Sequence, residues 1–303
     1  MAIPAGRYIV AVSGGVDSMV LLDVLRRRTD MDLIVAHANH GIRSDSHLDE
    51  QLVAAFCRSH NIEYISKELH LKQNVSEGHA RDARYEFLQS CRIRQRAGAI
   101  ITAHHQDDLL ETVVINLMRG TGWRGIAPFS SGKTILRPLV DVSKSELIMY
   151  AAKNAVPFRE DSTNAGQSYL RNYVRLTVIP ALDQQNNDWR ADILRLIRNQ
   201  VQLRRTIEAE LDMTLTSYIL RKDGKAVSER YMWCMLPRII GYELLQQLFR
   251  STLGYSLVRE LADASLLFAK VAKPGKRMLL GDAWQLRVTH RELIVEPRIS
   301  VVK

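Results

Sequence analysis

The side chains best suited to chemistry lie in a few short segments. Ser13-Gly14-Gly15-Val16-Asp17-Ser18 follows an apolar run from Tyr8 to Val12 and precedes residues with helical spacing. Glycines let a backbone approach a phosphate closely, and free N–H groups at a helix start point at it. Ser13 and Ser18 add hydroxyl donors. Asp17 is out of place beside phosphates unless a cation lies between them, most simply Mg²⁺. Two glycines alone would read as an ordinary strand-to-helix turn; both serines and the aspartate together make a phosphate loop.

Asp107, Asp108 and Glu111 set three carboxylates at i, i+1 and i+4, and Asp108 and Glu111 can share a helix face. Such a cluster can hold Mg²⁺, capture an ammonium group or accept a proton from an attacking amine, and the sequence does not divide those roles. Acidic decoration of a helix start is the plainer explanation. It loses here because His104 and His105 stand directly before the cluster. With His37 and His40 these histidines invite a zinc reading, but zinc needs three or four converging ligands and leaves the phosphate loop unexplained. Hydrogen bonding to a nucleotide or proton transfer fits them better. Arg81 and Arg84 share a helical turn beside Tyr85 and suit phosphate or carboxylate contact; by themselves they read as a solvated helix face. Trp123, between glycines, could stack on a base, though a lone Trp more often packs, and the arginines from Arg171 to Arg205 form either a phosphate-binding stripe or a solvated connector.

These segments need a scaffold. Tyr8 to Val12, Leu33 to Ala36, Glu63 to Ser66 and Ala99 to Ala103 read as strands, with helical spacing between them (Val20, Leu21, Val24, Leu25; then Leu52, Val53, Ala55, Phe56). Strand and helix in alternation mean a parallel sheet covered on both faces, with ligands outside the carboxyl ends of the strands. Three strands end in the loaded segments: the phosphate loop, His37-Ala38-Asn39-His40, and His104 to Asp108. From about Asp188 a helix carrying Arg190, Arg195, Arg198, Arg204 and Arg205 leads into a second module. There Tyr231 to Leu253 and Leu257 to Phe268 read as helices, and Arg277 to Val295 as a closing β meander. Two other glycine motifs fail on context. Gly120-Thr121-Gly122-Trp123-Arg124-Gly125 follows a helix rather than a strand, and Gly132-Lys133-Thr134 lacks the first glycine of a Walker loop, with Ala127 in its place.

The phosphate loop resembles that of the N-type ATP pyrophosphatases, which split ATP to AMP and pyrophosphate. Further segments narrow the resemblance: His37 to Arg43, Ala80-Arg81-Asp82-Ala83-Arg84-Tyr85, Thr102 to Thr112, Arg119 to Gly122, Arg137-Pro138-Leu139, Glu160 to Asn164, and Arg171-Asn172-Tyr173-Val174-Arg175 before Ile179-Pro180. In order and spacing they are similar to the tRNA(Ile)-lysidine synthase family across about the first 185 residues, and the chain looks like its compact form. The resemblance implies an adenine nucleotide alpha-hydrolase-like, doubly wound parallel sheet with a connector helix and a smaller α+β C-terminal domain. It implies ATP and Mg²⁺ as cofactors, L-lysine and a CAU-anticodon tRNA(Ile) as partners, and adenylation of C2 of the wobble cytidine before lysine joins it. Asp17, Asp108, Glu111 and His104 are the implied catalytic residues. Ser13, Gly14, Gly15, Val16, Asp17, Ser18, Ala36, His37, Asn39 and Arg84 would bind ATP. His105, Asp108, Glu111, Arg81, Asp161, Asn164, Arg171 and Arg175 would bind lysine or tRNA, and Asp17 and Asp108 the metal. A tRNA thiolase or an amidating synthetase of the same superfamily is the alternative, though paired cysteines and a glutaminase segment are both missing from the sequence.

The whole-chain arithmetic agrees. The sequence has 303 residues, 46% hydrophobic and 25% charged, enough for two domains with real cores. The expected division is 1–185, a connector over 186–212, and a tRNA-binding domain over 213–303. Forty-two Lys and Arg against 33 Asp and Glu leave +9, which favours a polyanionic partner. Cys57, Cys91 and Cys234 are few and scattered, as in a reducing compartment. No apolar run reaches the roughly 18 residues of a membrane span, and the start lacks a signal-peptide core. The expectation is a soluble cytoplasmic protein that contacts no membrane, with a homodimer left open.

Overall fold

The computed structural model describes residues 3–39, 46–69, 77–129, 134–159, 169–186 and 188–298. His40, Gly41, Ile42, Arg43, Gly132, Lys133, Asp161 and Asn164, all drawn on above, lie outside the described residues. The chain divides into two compact units, 1–201 and 202–303.

The first unit alternates strand and helix: β1 (Gly6–Ala11), α1 (Val16–Arg26), β2 (Met31–Asn39), α2 (Ser46–Ser59), β3 (Glu63–Glu68), α3 (Glu77–Arg94), β4 (Ala99–Ile101), α4 (Gln106–Met118), β5 (Ile135–Leu136) and α5 (Lys144–Lys153). The strands form one parallel sheet in the order β3-β2-β1-β4-β5. Alternate residues of β1 feed two cores: Tyr8 and Val10 pack with Met19, Leu22, Val53 and Leu147 on one face, and Ile9 packs with Phe87, Leu88 and Cys91 on the other. A strand buried on both faces must be apolar throughout, which is why β1 and β2 read as unbroken runs. The chain winds outward from β1 in both directions, so β1 and β4 flank the switch point where such sheets bind ligands. Then come α6 (Tyr169–Tyr173), a π turn (Val174–Val178), α7 (Ile179–Gln185) and α8 (Trp189–Tyr218). The first turns of α8 bury Trp189, Leu194 and Ile197 against Leu110 and Val113 of α4.

Two strand expectations shift. β4 stops at Ile101 rather than Ala103, because its neighbour β5 is only two residues long. β5 itself is too short to carry a periodicity. The Gly120–Gly125 segment indeed follows α4 and turns through a 3₁₀ segment, Trp123–Ile126.

The second unit holds an antiparallel sheet under helices. Its elements are β6 (Ile219–Lys222), β7 (Lys225–Glu229), α9 (Arg230–Met235), α10 (Arg238–Leu253), α11 (Arg259–Val271), β8 (Arg277–Leu279), β9 (Trp284–Val288) and β10 (Glu292–Pro297). The sheet order is β6-β7-β10-β9-β8. Its core centres on Trp233, Leu245, Phe249, Leu286 and Val295, and Trp233 Nε1 donates to Ser228 Oγ at 2.8 Å. The long helix expected from Tyr231 to Leu253 breaks at Pro237, which lacks an N–H and starts α10. The β6–β7 hairpin turns on Asp223 and Gly224, with φ +52° and +72°. Asp-Gly is a strong hairpin signal, though by its periodicity this module reads as strand only from Arg277 onward. Among the described residues no helix is long and apolar enough to cross a membrane.

Candidate active site

The loop after β1 is built for close approach. Gly14 has φ +96°, and a Cβ there would come within 3.2 Å of Asp49 Cβ, so glycine is needed on both counts. The Ser18 hydroxyl closes the loop internally: it accepts from the Ser13 N–H (3.1 Å) and donates to the Gly15 carbonyl (2.9 Å). The Ser13 side chain remains exposed. Gly15 caps α1 without a side-chain hydrogen bond, so the first N–H groups of the helix, at Val16 onward, have no side-chain cap and face a prospective anion. Arg159 braces the loop from outside. Its N–H donates to the Gly14 carbonyl (3.1 Å), and its Nε to Asp49 (2.9 Å).

The end of β2 lies alongside. Ala36 is buried and its carbonyl receives the Val12 N–H. His37 Nδ1 donates to the Val12 carbonyl at 2.9 Å, which fixes Nδ1 as the protonated nitrogen. Asn39 donates to Glu50.

Opposite stands the start of α4. His105 is buried, and its Nε2 lies 3.7 Å from Asp17 Oδ2 and 3.5 Å from Asp108 Oδ2; its Nδ1 is 3.7 Å from Asp107 Oδ2. Burial alone would lower the affinity of this imidazole for a proton. The Asp107, Asp108 and Asp17 carboxylates outweigh it, and the net shift is upward. Asp107 is held well below the usual carboxylate range by His105, against burial, with the Lys144 N–H (2.8 Å) and Arg190 (3.0 Å) helping. Asp108 moves the other way: burial raises it, and His105 offsets this only in part.

Two arrangements flank that centre. Glu111 is buried between two guanidiniums, with Arg175 at 2.6 and 3.0 Å and Arg171 at 3.2 Å. Arg171 and Arg175 therefore neutralise an internal carboxylate. On the other side, His104 Nδ1 is 2.8 Å from Thr102 Oγ1, and its ring lies 5.2 Å from that of Phe129. Burial lowers its pKa to about 3, and Arg137, Arg84, Arg81 and Arg171 push in the same direction. Arg81 and Arg84 lie over the Tyr85 ring at 5.0 and 5.5 Å.

The structure thus brings Asp17, His105 and Asp108 to one point and sets Glu111, Arg171 and Arg175 beside it, with His104, Arg81 and Arg84 in a cationic flank. Sequence reasoning missed Lys144, whose Nζ lies 2.7 and 2.9 Å from the two Asp17 oxygens, as well as Arg190, Arg159 and the part played by Arg137. Lys144 and Arg159 carried no local signal, and Arg190 and Arg137 were visible only as members of a stripe and a motif, because each acts on a residue far away in the chain. Among the described residues no three His, Cys, Asp or Glu side chains form a metal-binding group. Magnesium needs less: it is commonly held by one or two carboxylates together with substrate phosphates. Asp17 and Asp108, converging on the same imidazole nitrogen, suit that habit.

Comparison with known proteins bears on this geometry. A family described as the PP-loop domain matches residues 3–182. The chain is 30% identical over 316 residues to the tRNA(Ile)-lysidine synthase of Enterococcus faecalis, covering 99% of this chain and 68% of that protein. It is 37% identical over 210 residues to the same enzyme from Thermotoga maritima, covering 66% of this chain and 51% of that protein. Several other relatives are likewise matched over about half their length or less. Among solved structures, the U34-tRNA thiolase NcsA from Methanococcus maripaludis shares the fold, with a TM-score of 0.56 at 17% identity over 66% of this chain and 74% of that one. With its phosphate loop and acidic α4 start set across one switch point, the chain belongs to the PP-loop family and, within it, to the tRNA(Ile)-lysidine synthase family.

Proposed function

We propose that this protein is an ATP-dependent ligase that adenylates C2 of the wobble cytidine in a CAU-anticodon tRNA(Ile) and joins L-lysine to it, forming lysidine in the cytoplasm. The observation that carries the reading is the meeting of Asp17 with His105 and Asp108 at the carboxyl ends of β1 and β4. The N–H groups at the start of α1 and the Ser13 hydroxyl hold the polyphosphate, and Ala36, His37 and Asn39 border the adenosine. Asp17 and Asp108 would hold Mg²⁺, which supplies charge neutralisation for the departing pyrophosphate. The cytidine oxygen attacks the α-phosphorus; the lysine ε-amine then attacks C2, and AMP leaves with the C2 oxygen.

Asp108 is the carboxylate whose proton affinity burial raises; with the pyrophosphate and its cation gone, it is the group placed to take the proton of the attacking amine. His104 stays neutral at working pH, given its pKa of about 3. It serves as a hydrogen-bonding partner to the adenylated base rather than as a proton store. The second unit and the exposed arginines of α8 contact the tRNA, Asp161 and Asn164 contact lysine or the tRNA, and Arg171 and Arg175 hold Glu111 in place. The decisive experiment supplies the protein with ATP, Mg²⁺, labelled lysine and a CAU-anticodon tRNA(Ile) transcript. Label is expected in the RNA, and folded protein that leaves the RNA unlabelled refutes the reading.

A further inference from the structure

We propose that Lys144 is a polyphosphate-binding residue: its ammonium, paired with Asp17 at the phosphate loop, also serves the β- and γ-phosphates of ATP and the departing pyrophosphate. The inference rests on the phosphate-loop reading above and adds a residue to it. The Lys144 ammonium lies 2.7 Å from one Asp17 oxygen and 2.9 Å from the other, within the first turn of α1, where the loop N–H groups converge. An ammonium in that position is within a short swing of any phosphate the loop accepts.

Its backbone is fixed, and its head group meets Asp17 from a partly exposed side chain. The Lys144 N–H donates to Asp107 at 2.8 Å, and Gln106 N–H reaches the Val142 carbonyl at 2.9 Å, so the base of the side chain is tied to the start of α4. Ser143 caps α5 and exchanges hydrogen bonds with Glu146. The Lys144 side chain, by contrast, is 39% exposed. A partly exposed ion pair of this kind contributes little to stability. Position argues the same way: Lys144 is the first residue of α5, where the helix dipole disfavours a cation. Stability alone would place an acid there.

Charge balance favours the second role. Phosphate oxygens entering the loop repel Asp17, whose charge then needs a divalent cation, and the ammonium meets new oxyanions a few ångströms away. As the bond between the α-phosphorus and its bridging oxygen breaks, the electron pair leaves with pyrophosphate, and Lys144 neutralises part of that charge.

The test uses the full chain in wild-type, K144M and K144R forms, checked for folding by circular dichroism. Inorganic pyrophosphate and AMP are titrated by calorimetry, and Mn²⁺ alone by electron paramagnetic resonance. K144M is expected to weaken pyrophosphate binding by about tenfold or more, the value of one charge-assisted contact, and to leave AMP binding unchanged. Mn²⁺ is expected to bind K144M more tightly than wild type, because Asp17 loses a competing cation. K144R should recover part of the pyrophosphate affinity. Unchanged pyrophosphate affinity in folded K144M overturns the proposal, and so does a parallel loss of pyrophosphate and AMP. A wild-type protein that binds neither ATP nor pyrophosphate overturns the phosphate-loop reading itself.

Discussion

His104 and His105 are chain neighbours whose surroundings push them in opposite directions. His104 faces burial and four guanidiniums, and His105 faces three carboxylates. The consequences for stability have opposite signs. A histidine whose folded pKa drops from 6.5 to about 3 loses stability as the pH falls below 6.5, because the unfolded chain takes the proton first. A histidine whose folded pKa is raised contributes fully below its unfolded value and loses that contribution as the pH rises through the folded one. Urea unfolding across pH should therefore show less acid lability in His104→Asn, by up to a few kcal/mol at about 1.4 kcal/mol per unit. His105→Asn should instead flatten the decline above neutrality. A second prediction belongs to this scale. Asp17→Ala should abolish lysine incorporation while tRNA binding, read by filter retention, largely survives. Unchanged turnover would mean that the loop carries no chemistry.

Among the elements, α4 has the most to do. Its start presents Asp107 and Asp108 to the phosphate loop, and one turn later Glu111 draws in α6 and the π turn through Arg171 and Arg175. The Glu111 side chain is only 4% exposed, and its partners 22% and 34%. Removing the charge leaves two guanidiniums facing a neutral amide. A fully buried pair broken this way costs about 3–5 kcal/mol, and solvent around the arginines reduces the figure to about 2 kcal/mol. Glu111→Gln should lower the urea midpoint accordingly, and also loosen the 169–178 segment in hydrogen exchange. A midpoint equal to wild type would show that the arginines do not depend on Glu111. The same helix illustrates what a sequence reveals about an element. The doublet at 107–108 was legible because its members are adjacent. The partners of Glu111, 60 and 64 residues downstream, lay in what read as either a phosphate-binding arginine stripe or a solvated connector.

At the scale of the whole molecule, the chain has separate cores and a surplus of cations. Its formal charge of +9 makes RNA affinity salt-dependent whatever the sequence preference. If about 6–10 phosphates are contacted, affinity should fall about 10³–10⁵-fold between roughly 50 and 200 mM salt. A binding isotherm insensitive to salt would assign the excess charge to solubility rather than to RNA. The two units each have their own buried aromatic and aliphatic cluster, the second around Trp233 and Phe249, so neither relies on the other for a core.

The sequence by itself determined the alternating architecture, the phosphate loop and the acidic start of α4. Each of these is written in short-range pattern: runs buried on both faces of a parallel sheet, glycines where a backbone must turn, adjacent side chains at a strand end. The β6–β7 hairpin was not read, although Asp223-Gly224 signals it, because a search for periodicity passes over a two-residue turn. Tertiary structure alone decided which charges meet. Lys144 reaches Asp17 across 127 positions, Arg159 reaches Asp49 across 110, and Arg190 reaches Asp107 across 83. Ion pairs of that separation impose no spacing on the chain. They exist only because a doubly wound sheet brings the ends of β1 and β4 to one edge, where the electrostatics of the site are settled by neighbours in space.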